Sequence, residues 1–154
     1  MARRLTLAGD RSGNATIELA LLAPILVGLL TGLIDVGTSF SDKLRLEQVA
    51  QRTIEKVQAS SFTVSMQTAL ETEAEAAAGT GSDAVLTYWL ECDGTKMTGT
   101  SAYAAGCADG EAYARYVQLA IEKNYRPLII GRFFRNRNTD GTITVHGAAG
   151  IRIQ

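Results

Sequence analysis

Few side chains in this 154-residue chain stand where chemistry is expected, and the most unusual is a carboxylate inside an apolar segment. Glu18 is the one charged residue between Ala15 and Ile34. A charged side chain at the centre of a membrane helix costs roughly 2.5 to 3.5 kcal/mol on insertion scales, and less near an interface. The sequence therefore predicts that Glu18 has a partner or a specific function.

Other reactive residue types are scarce. Cys92 and Cys107 are the only cysteines and His146 is the only histidine, so zinc coordination by Cys and His is not expected. His146 lies in a predicted strand, where a surface or packed imidazole is favoured over a catalytic base. The glycines lack the Lys-Ser/Thr pair of a phosphate-binding loop. The sequence thus predicts no enzyme, no cofactor, no metal site and no small-molecule substrate.

Basic and aromatic residues are interleaved near the C-terminus. The members of this cluster are Arg126, Arg132, Phe133, Phe134, Arg135 and Arg137. Such clusters bind lipid headgroups, acidic partners or single-stranded nucleic acid. The interpretation we favour is a solvated loop whose Phe side chains enter the core, and a protein partner is the next alternative. A formal net charge of −1 argues against nucleic-acid binding, which needs a positively charged face.

The segment around Glu18 is long enough to cross a membrane once. Residues 15–34 form about 20 residues of helix, roughly 30 Å, which is the thickness of a bilayer's hydrocarbon core. Residues 1–13 contain three arginines and one aspartate, whereas Asp35 and Asp42 follow the segment. The positive-inside rule then keeps the N-terminus in the cytoplasm. The predicted division is a leader at 1–13, a transmembrane helix at 14–35 and an exported domain at 36–154.

A cleavable secretory signal is the alternative for this segment. The small residues Gly37, Thr38 and Ser39 would offer a peptidase a cutting site. However, the apolar run is longer than the usual signal core of about 7 to 15 residues, it contains Glu18, and no clear Ala-x-Ala site closes it. A retained helix is therefore favoured.

Two helices are predicted before the first strand. Beyond Asp35, apolar residues from Leu46 to Val57 recur at spacings of three and four, which predicts that the first helix continues as an amphipathic helix to about Ser60. A second helix is predicted at 65–78. Its packing side would hold Met66, Leu70, Ala74, Ala77 and Ala78, and its polar side Glu71, Glu73 and Glu75. A disordered acidic tract is the alternative there.

Beyond Ser82 the sequence is rich in the aromatic and β-branched residues typical of strands. Strands are predicted at 84–91, 112–125 and 142–153, with an apolar return at 128–134 and a turn at 138–141. The predicted fold class is α+β, in which a long N-terminal transmembrane and amphipathic helix and a second helix pack on a small antiparallel sheet of three or four strands.

The two cysteines fall in the part predicted to be exported, where disulfides form. A Cys92–Cys107 bridge would close a loop of about 15 residues and contribute on the order of 3 kcal/mol by the chain-entropy estimate. Gly94, Gly99 and Gly106 between them favour a loop that tolerates the bridge. Two free buried thiols are the alternative.

The N-terminal motif combines a basic leader, Gly13, Glu18 as the fifth residue after that glycine, and an unbroken apolar helix. This order resembles the class III prepilin signal of the type IV filament superfamily. The resemblance implies that a membrane aspartyl peptidase on the cytoplasmic side cleaves between Gly13 and Asn14. It also implies that Glu18 pairs, at low dielectric, with the new N-terminal amine of a neighbouring subunit and sets its register.

Asn14 stands where major pilins and type II secretion pseudopilins usually have Phe or Met. Residues 11–24 instead resemble the TadE-like proteins of the Flp/Tad tight-adherence pilus. Later landmarks are also similar to that family, although the first 40 residues carry most of the resemblance. These landmarks are Glu91-Cys92-Asp93-Gly94, Cys107, Tyr116 and Tyr125-Arg126-Pro127.

The size of the chain distinguishes among relatives. TadG-like members are typically much longer and carry a metal-adhesion-type domain, whereas major Flp pilins are little more than the first helix. The resemblance therefore implies a TadE-like minor pseudopilin with a pilin-like fold, present in few copies and acting in initiation, capping or assembly of the fibre. Its partners would be other pilins and pseudopilins, the prepilin peptidase and the pilus assembly machinery.

The implied location is the bacterial inner membrane, with a single span, a cytoplasmic N-terminus and a periplasmic domain, before any incorporation into an extracellular pilus. The alternative function is an uncleaved, membrane-tethered periplasmic binding module. In such a protein Glu18 would be dispensable and would reach toward the interface. An exported enzyme is a third alternative.

Overall fold

The computed structural model describes residues 12–128 and 138–153, and residues 12–15 only by their backbone. The elements are α1 (Ser12–Ser60), a single 3-10 turn (Val64–Met66), α2 (Gln67–Ala78), β1 (Ser82–Cys92), β2 (Thr95–Thr98), α3 (Thr100–Ala105), β3 (Tyr113–Tyr125) and β4 (Ile143–Arg152). The predicted α+β class is confirmed. Most of the predicted apolar return at 128–134, and the cluster residues from Arg132 to Arg137, lie outside the described residues.

Helix α1 is 49 residues long, and only its C-terminal half packs on the rest of the protein. In that half Leu46, Ala50 and Val57 have no exposed surface, and they share one helical face. The helix ends at Ser60 because Ser61 has a positive φ of 54°, which turns the chain back toward the sheet. The amphipathic continuation to Ser60 is therefore confirmed.

Helix α2 packs against both α1 and the sheet. Leu70, Ala74 and Ala78 are buried at helical spacing, so the alternative of a disordered acidic tract is wrong. Ala77, predicted on the packing side, is exposed because it lies one residue away from the buried row. The helix ends at Gly79, whose φ of +100° suits a residue without a Cβ.

Two glutamates of α2 do not face solvent as predicted. Glu71 accepts a hydrogen bond from the backbone N–H of Leu86 at 2.8 Å, and Glu75 accepts one from Ala84 at 3.2 Å. The side-chain amide of Gln67 donates to the carbonyl of Leu86 at 3.1 Å. Strand β2 pairs only with the C-terminal part of β1, so these side chains satisfy a strand edge that would otherwise be open.

The sheet has the order β2-β1-β3-β4, and every neighbouring pair is antiparallel. Leu86 on β1 pairs with Leu119 on β3, and Ile121 on β3 pairs with Gly147 on β4. Alternate residues of β1, β3 and β4 point toward the helices and form the core. The strands most deeply buried on this face are β1 and β3, which occupy the centre of the sheet.

Helix α1 crosses β4 in direct backbone contact at Gly147. A Cβ at this position would lie 2.6 Å from both the carbonyl carbon and the Cβ of Leu46, closer than real Cβ atoms approach other atoms. The glycine is thus required by the close approach of the helix, not by its own dihedral angles. This contact holds the packed half of α1 against the sheet.

The segment between the two cysteines is not the loop that its glycines predicted. It contains β2 and α3, and β2 forms a hairpin with β1 through Asp93 and Gly94, both of which have positive φ. An Asp-Gly pair is the usual sequence for such a two-residue turn. The turn signal was therefore present in the sequence, but the four-residue strand after it was too short to recognise.

Candidate functional site

The N-terminal half of α1 has an apolar surface that the other described residues do not cover. Its large apolar side chains are all more than half exposed: Ile17, Leu19, Leu21, Leu22, Ile25, Leu26, Val27, Leu29, Leu30, Leu33 and Ile34. By length and composition this helix can cross a membrane, with a mean hydropathy of 2.3 over its most apolar window, of which 6% is buried. Soluble monomers rarely expose such a surface, which marks it as a site of contact with lipid or another protein.

The predicted processing site and Glu18 lie at the start of this exposed half. Gly13 and Asn14 are helical and lie at the N-terminal end of α1 (Ser12–Ser60). Glu18 is exposed and follows Asn14 by four residues, which puts the two positions on the same helical face about 6 Å apart along the axis. An amine generated at Asn14 would therefore lie on the same side of the helix as this carboxylate.

The exposed half also contains small residues. Within the described part of the chain, a Cβ at Gly28 would meet no atom within 4 Å beyond its chain neighbours and its own helix backbone. Ala20, Ala23 and Gly32 are the other small residues of this segment. In lipid, such residues allow a second helix to approach closely.

Asp35 marks the point where the exposed half of α1 meets the folded domain. Its carboxylate is buried, with 3% of the residue exposed. Its Oδ1 accepts hydrogen bonds from the backbone N–H of Leu128 at 2.8 Å and from the hydroxyl of Tyr125 at 3.1 Å. The Tyr125 hydroxyl also lies 2.6 Å from Oγ1 of Thr38. These contacts fasten the end of β3 to the C-terminal end of the exposed apolar half of α1.

A second polar link lies two helical turns further along α1. Nζ of Lys123 is 3.1 Å from Oδ1 of Asp42, and both side chains are largely shielded from solvent. Charge-assisted hydrogen bonds of this kind are stronger than neutral ones. We call the contacts of Asp35, Thr38, Tyr125 and Leu128, together with the Asp42–Lys123 pair, the junction.

The electrostatics of the junction keep Tyr125 in its neutral form. Desolvation by burial is the largest cause that raises the pKa of Tyr125 above its ordinary value, and the negative charge of Asp35 raises it further, whereas the hydrogen bond with Thr38 lowers it. A neutral hydroxyl can donate to the buried carboxylate. The chemistry of the junction is therefore positioning, with Tyr125 as the donor and Asp35 as the acceptor.

Sequence reasoning used Asp35 only as a charged residue beyond the membrane segment and did not find the junction. From the sequence, Tyr125-Arg126-Pro127 is only a landmark of the family resemblance. One available signal was that Asp35 is the first charge after the apolar run. Nothing in a single sequence, however, indicates that residues 90 positions apart form a hydrogen bond.

A groove of about 420 Å³ lies beside the junction, between α1 and the start of β4. Val36 and Phe40 form its α1 wall, with Lys43 at the rim, and Ile143 and Val145 form its β4 wall. His146 also borders the groove, and its Nδ1 lies 3.2 Å from Oε1 of the exposed Glu122 on β3. This places His146 in a surface pair on a strand.

The structure joins Cys92 and Cys107 in a disulfide, with their Cα atoms 5.7 Å apart. The bridge ties the end of β1 to the segment after α3. Glu111 lies close to both sulfur atoms, and together these residues resemble a metal-ligand group by distance. Because each sulfur is bonded to the other, neither is a thiolate that can bind a metal.

Comparison with known proteins adds one finding. The family model of TadE-like proteins matches residues 13–54. The match includes Gly13, Glu18, Asp35 and part of the packed half of α1, but none of the sheet. No curated protein and no solved structure matches the chain. The predicted resemblance to TadE-like proteins is thus confirmed over residues 13–54, and it indicates a Tad pilus-related role.

Proposed function

From its TadE-like residues 13–54, we propose that this protein is a minor pseudopilin that takes part in assembly of a Flp/Tad adhesion pilus. In this proposal residues 1–13 are a cytoplasmic leader, residues 14–35 span the inner membrane and residues 36–154 form a periplasmic domain. A prepilin peptidase cleaves between Gly13 and Asn14. The role is structural, as expected for a member of a pilus-associated family.

The observation that carries the proposal is the contrast between the two halves of α1. The half beyond Asp35 packs on its own sheet, whereas the half before Asp35 exposes a long row of apolar side chains. Lipid would cover this row while the protein waits in the membrane. Helices of other subunits would cover it after assembly, because the small residues at Ala20, Ala23, Gly28 and Gly32 allow close contact.

Two features support export of the domain. The basic residues of the leader precede the apolar segment, and acidic residues follow it, as the positive-inside rule requires for this orientation. The Cys92–Cys107 disulfide suits an oxidising compartment such as the periplasm. The junction then lies at the outer surface of the membrane.

The experiment that tests the proposal is the intact mass and N-terminal sequence of the protein made with and without the prepilin peptidase of its own system. We expect a chain beginning at Asn14 only when an active peptidase is present. A matched control is the same peptidase with its catalytic aspartates replaced. A chain that still begins at Met1, or one that is cut near Ser39, would contradict processing at Gly13.

The second candidate is an uncleaved binding module tethered to the membrane. The groove beside the junction favours it, since apolar grooves of this size bind ligands in other proteins. Such a protein would begin at Met1 whether or not the peptidase is present, and its function would not depend on Glu18. The mass measurement therefore separates the two functions.

A further inference from the structure

The junction fixes how far the folded domain stands from the end of the apolar helix. The Leu128 backbone N–H and the Tyr125 hydroxyl both bind the Asp35 carboxylate, so Leu128 lies at the level of Asp35. The domain is therefore not held away from the apolar segment by a flexible linker. Its β3 end lies directly beside the last turn of that segment.

Exposed apolar side chains surround this point. Leu128 is 71% exposed, Phe40 59% and Val36 54%, and Val36 and Phe40 share a helical face because they are four residues apart. We call these three side chains the junction patch. The patch continues the exposed surface of the apolar segment, where Leu33 is 71% and Ile34 is 54% exposed.

The dimensions of a bilayer match the height of the patch. Phe40 follows Asp35 by five residues, which is about 7.5 Å along a helix. The polar region on each side of the hydrocarbon core is about 5 to 7.5 Å thick, since the core measures about 30 Å and the whole bilayer about 40 to 45 Å. If the span ends at Asp35, the patch lies within this interfacial region.

The charges next to the patch suit phospholipid headgroups. Lys43 lines the groove roughly two turns beyond Asp35, with about half of its side chain exposed and its Nζ 3.7 Å from Oε1 of Glu47, and Arg126 is exposed between Tyr125 and Leu128. Long basic side chains at this height reach anionic phosphates while their stems cover apolar surface. The Asp35 carboxylate is shielded from the lipid by the hydrogen bonds it accepts.

We propose that the junction patch rests in the headgroup region of the membrane crossed by α1, so that the exported domain lies against the bilayer surface through a second contact. The inference rests on the proposed membrane span and goes beyond it. Continuity with the exposed apolar helix and the flanking cations favour lipid over a second protein as the occupant of the patch.

The test uses depth-dependent fluorescence quenching of the full chain in phosphatidylcholine–phosphatidylglycerol vesicles. Because the described cysteines are both in the disulfide, a single introduced cysteine carries the fluorophore. Phe40→Cys and Leu128→Cys report on the patch. Leu29→Cys reports on the span, and Val85→Cys, an exposed apolar position on the outer face of the sheet, is the matched control.

We expect lipids with a spin label near the headgroup to quench the fluorophores at positions 40 and 128, and aqueous iodide to quench the one at position 85. Quenching at position 29 by lipids labelled near the chain end checks the span separately. If positions 40 and 128 behave like position 85 while position 29 is quenched, the proposal is wrong and the span survives. A fluorophore at position 40 could instead become protected from iodide as the protein-to-lipid ratio rises, without being quenched by lipid. That result would also overturn the proposal and identify a second copy of the chain as the occupant of the patch.

If position 29 is not quenched by lipid at all, both the span and the patch contact are wrong. Phe40 and Leu128 are exposed, so neither substitution removes a core contact. A folded domain is verified in each variant by the disulfide, which a shift in mobility on reduction detects. Each patch position tests the proposal independently of the other.

Discussion

At the scale of single residues, two carboxylates of α1, those of Glu18 and Asp35, have opposite environments. Glu18 is exposed on an apolar helix, whereas Asp35 is buried and accepts hydrogen bonds from its own chain. The partner of Asp35 is thus within the protein. For Glu18 the family resemblance implies a partner in another subunit, which leads to a prediction about assembly.

Replacing Glu18 with Ala should leave export and folding intact and abolish association with the other pilins. In the proposed pairing, removal of the carboxylate would leave the neighbouring subunit's N-terminal amine without its counter-charge in a low-dielectric environment. Co-purification with the other pilins and the number of surface pili measure the effect. Glu55→Ala, at an exposed position in the packed half of α1, is the control and should behave as wild type. Normal pili from the Glu18 variant would argue against the proposed pairing.

Tyr125 should make the domain sensitive to alkaline pH. Its folded-state pKa is raised by desolvation first, and then by Asp35, so the stability that its neutral hydroxyl contributes is present below its ordinary pKa and is lost as pH rises through the raised value. Burial also raises the pKa of Tyr103, which contributes a similar loss in every variant. Urea unfolding measures the free energy of unfolding at each pH. Between neutral pH and pH values above about 10, this free energy should fall less in Tyr125→Phe than in wild type.

The same Tyr125→Phe variant should be less stable at neutral pH by roughly 1.5 to 3 kcal/mol, because hydrogen bonds to charged groups contribute about that much. Tyr113→Phe, at an exposed tyrosine of β3, is the control and should change little. Equal stability and equal pH dependence in Tyr125→Phe and wild type would show that the junction hydroxyl contributes nothing to folding.

At the scale of elements, the packed half of α1, the sheet and the disulfide determine how the domain holds together. The α1–β4 contact at Gly147 brings backbone against backbone, and α2 closes the open edge of β1 through Glu71 and Glu75. The hairpin and short helix between the cysteines are tied to the sheet by the bridge. The helix contact and the bridge can each be tested by one substitution.

Gly147→Ala should destabilise the domain by about 1 to 3 kcal/mol, the usual cost of overpacking. The new Cβ would lie 2.6 Å from backbone and Cβ atoms of Leu46, so α1 must move away from β4. Gly150→Ala on the same strand is the matched control, because its nearest neighbour would be 3.4 Å away. Chemical denaturation of both variants measures the difference. Similar stabilities for the two variants would mean that α1 does not pack this closely on β4.

Loss of the bridge should lower the thermal midpoint of unfolding. Closing a loop of about 15 residues stabilises by on the order of 3 kcal/mol in the chain-entropy model. Cys92→Ser and reduction of the wild-type protein should give similar midpoints, both below that of the oxidised protein. An unchanged midpoint on reduction would indicate that the bridge does not form in solution.

At the scale of the whole molecule, the two halves of the continuous helix α1 have different surroundings. Its packed half belongs to the core of the domain, and its apolar half lies outside that core. The junction at Asp35 separates them without interrupting the helix, which continues through Gly37, Thr38 and Ser39. A rigid connection of this kind would transmit the position of the helix in a fibre or membrane directly to the domain.

A chain that begins at Asp35 should fold and remain soluble without detergent, because the buried residues of the core lie at or beyond that position. The full chain should need detergent or lipid. Size-exclusion chromatography with light scattering and circular dichroism measure the mass and fold of the short chain. If the short chain aggregates or unfolds while the full chain in detergent is folded, the apolar half contributes to the core and the division at Asp35 is wrong.

The sequence by itself determined the features that depend on local pattern. The apolar run around Glu18 predicted the uncovered helix, the spacing of Leu46, Ala50 and Val57 predicted its packed half, and residues 11–24 carried the family resemblance. These signals are local because helical periodicity and a processing motif each occupy one short stretch of chain. Periodicity also predicted α2, and residue composition predicted three of the four strands.

Only the tertiary structure decided which distant residues meet. Asp35 binds Tyr125 and Leu128, Glu71 and Glu75 close the β1 edge, and Gly147 admits Leu46. Each of these contacts joins two elements whose relative position follows from packing of the whole core. A carboxylate or a glycine looks the same in the sequence whether it faces solvent or a distant strand. For this reason the sequence predicts only that Asp35 ends the membrane segment, whereas in the fold Asp35 is the hydrogen-bond acceptor that fastens the sheet to the helix.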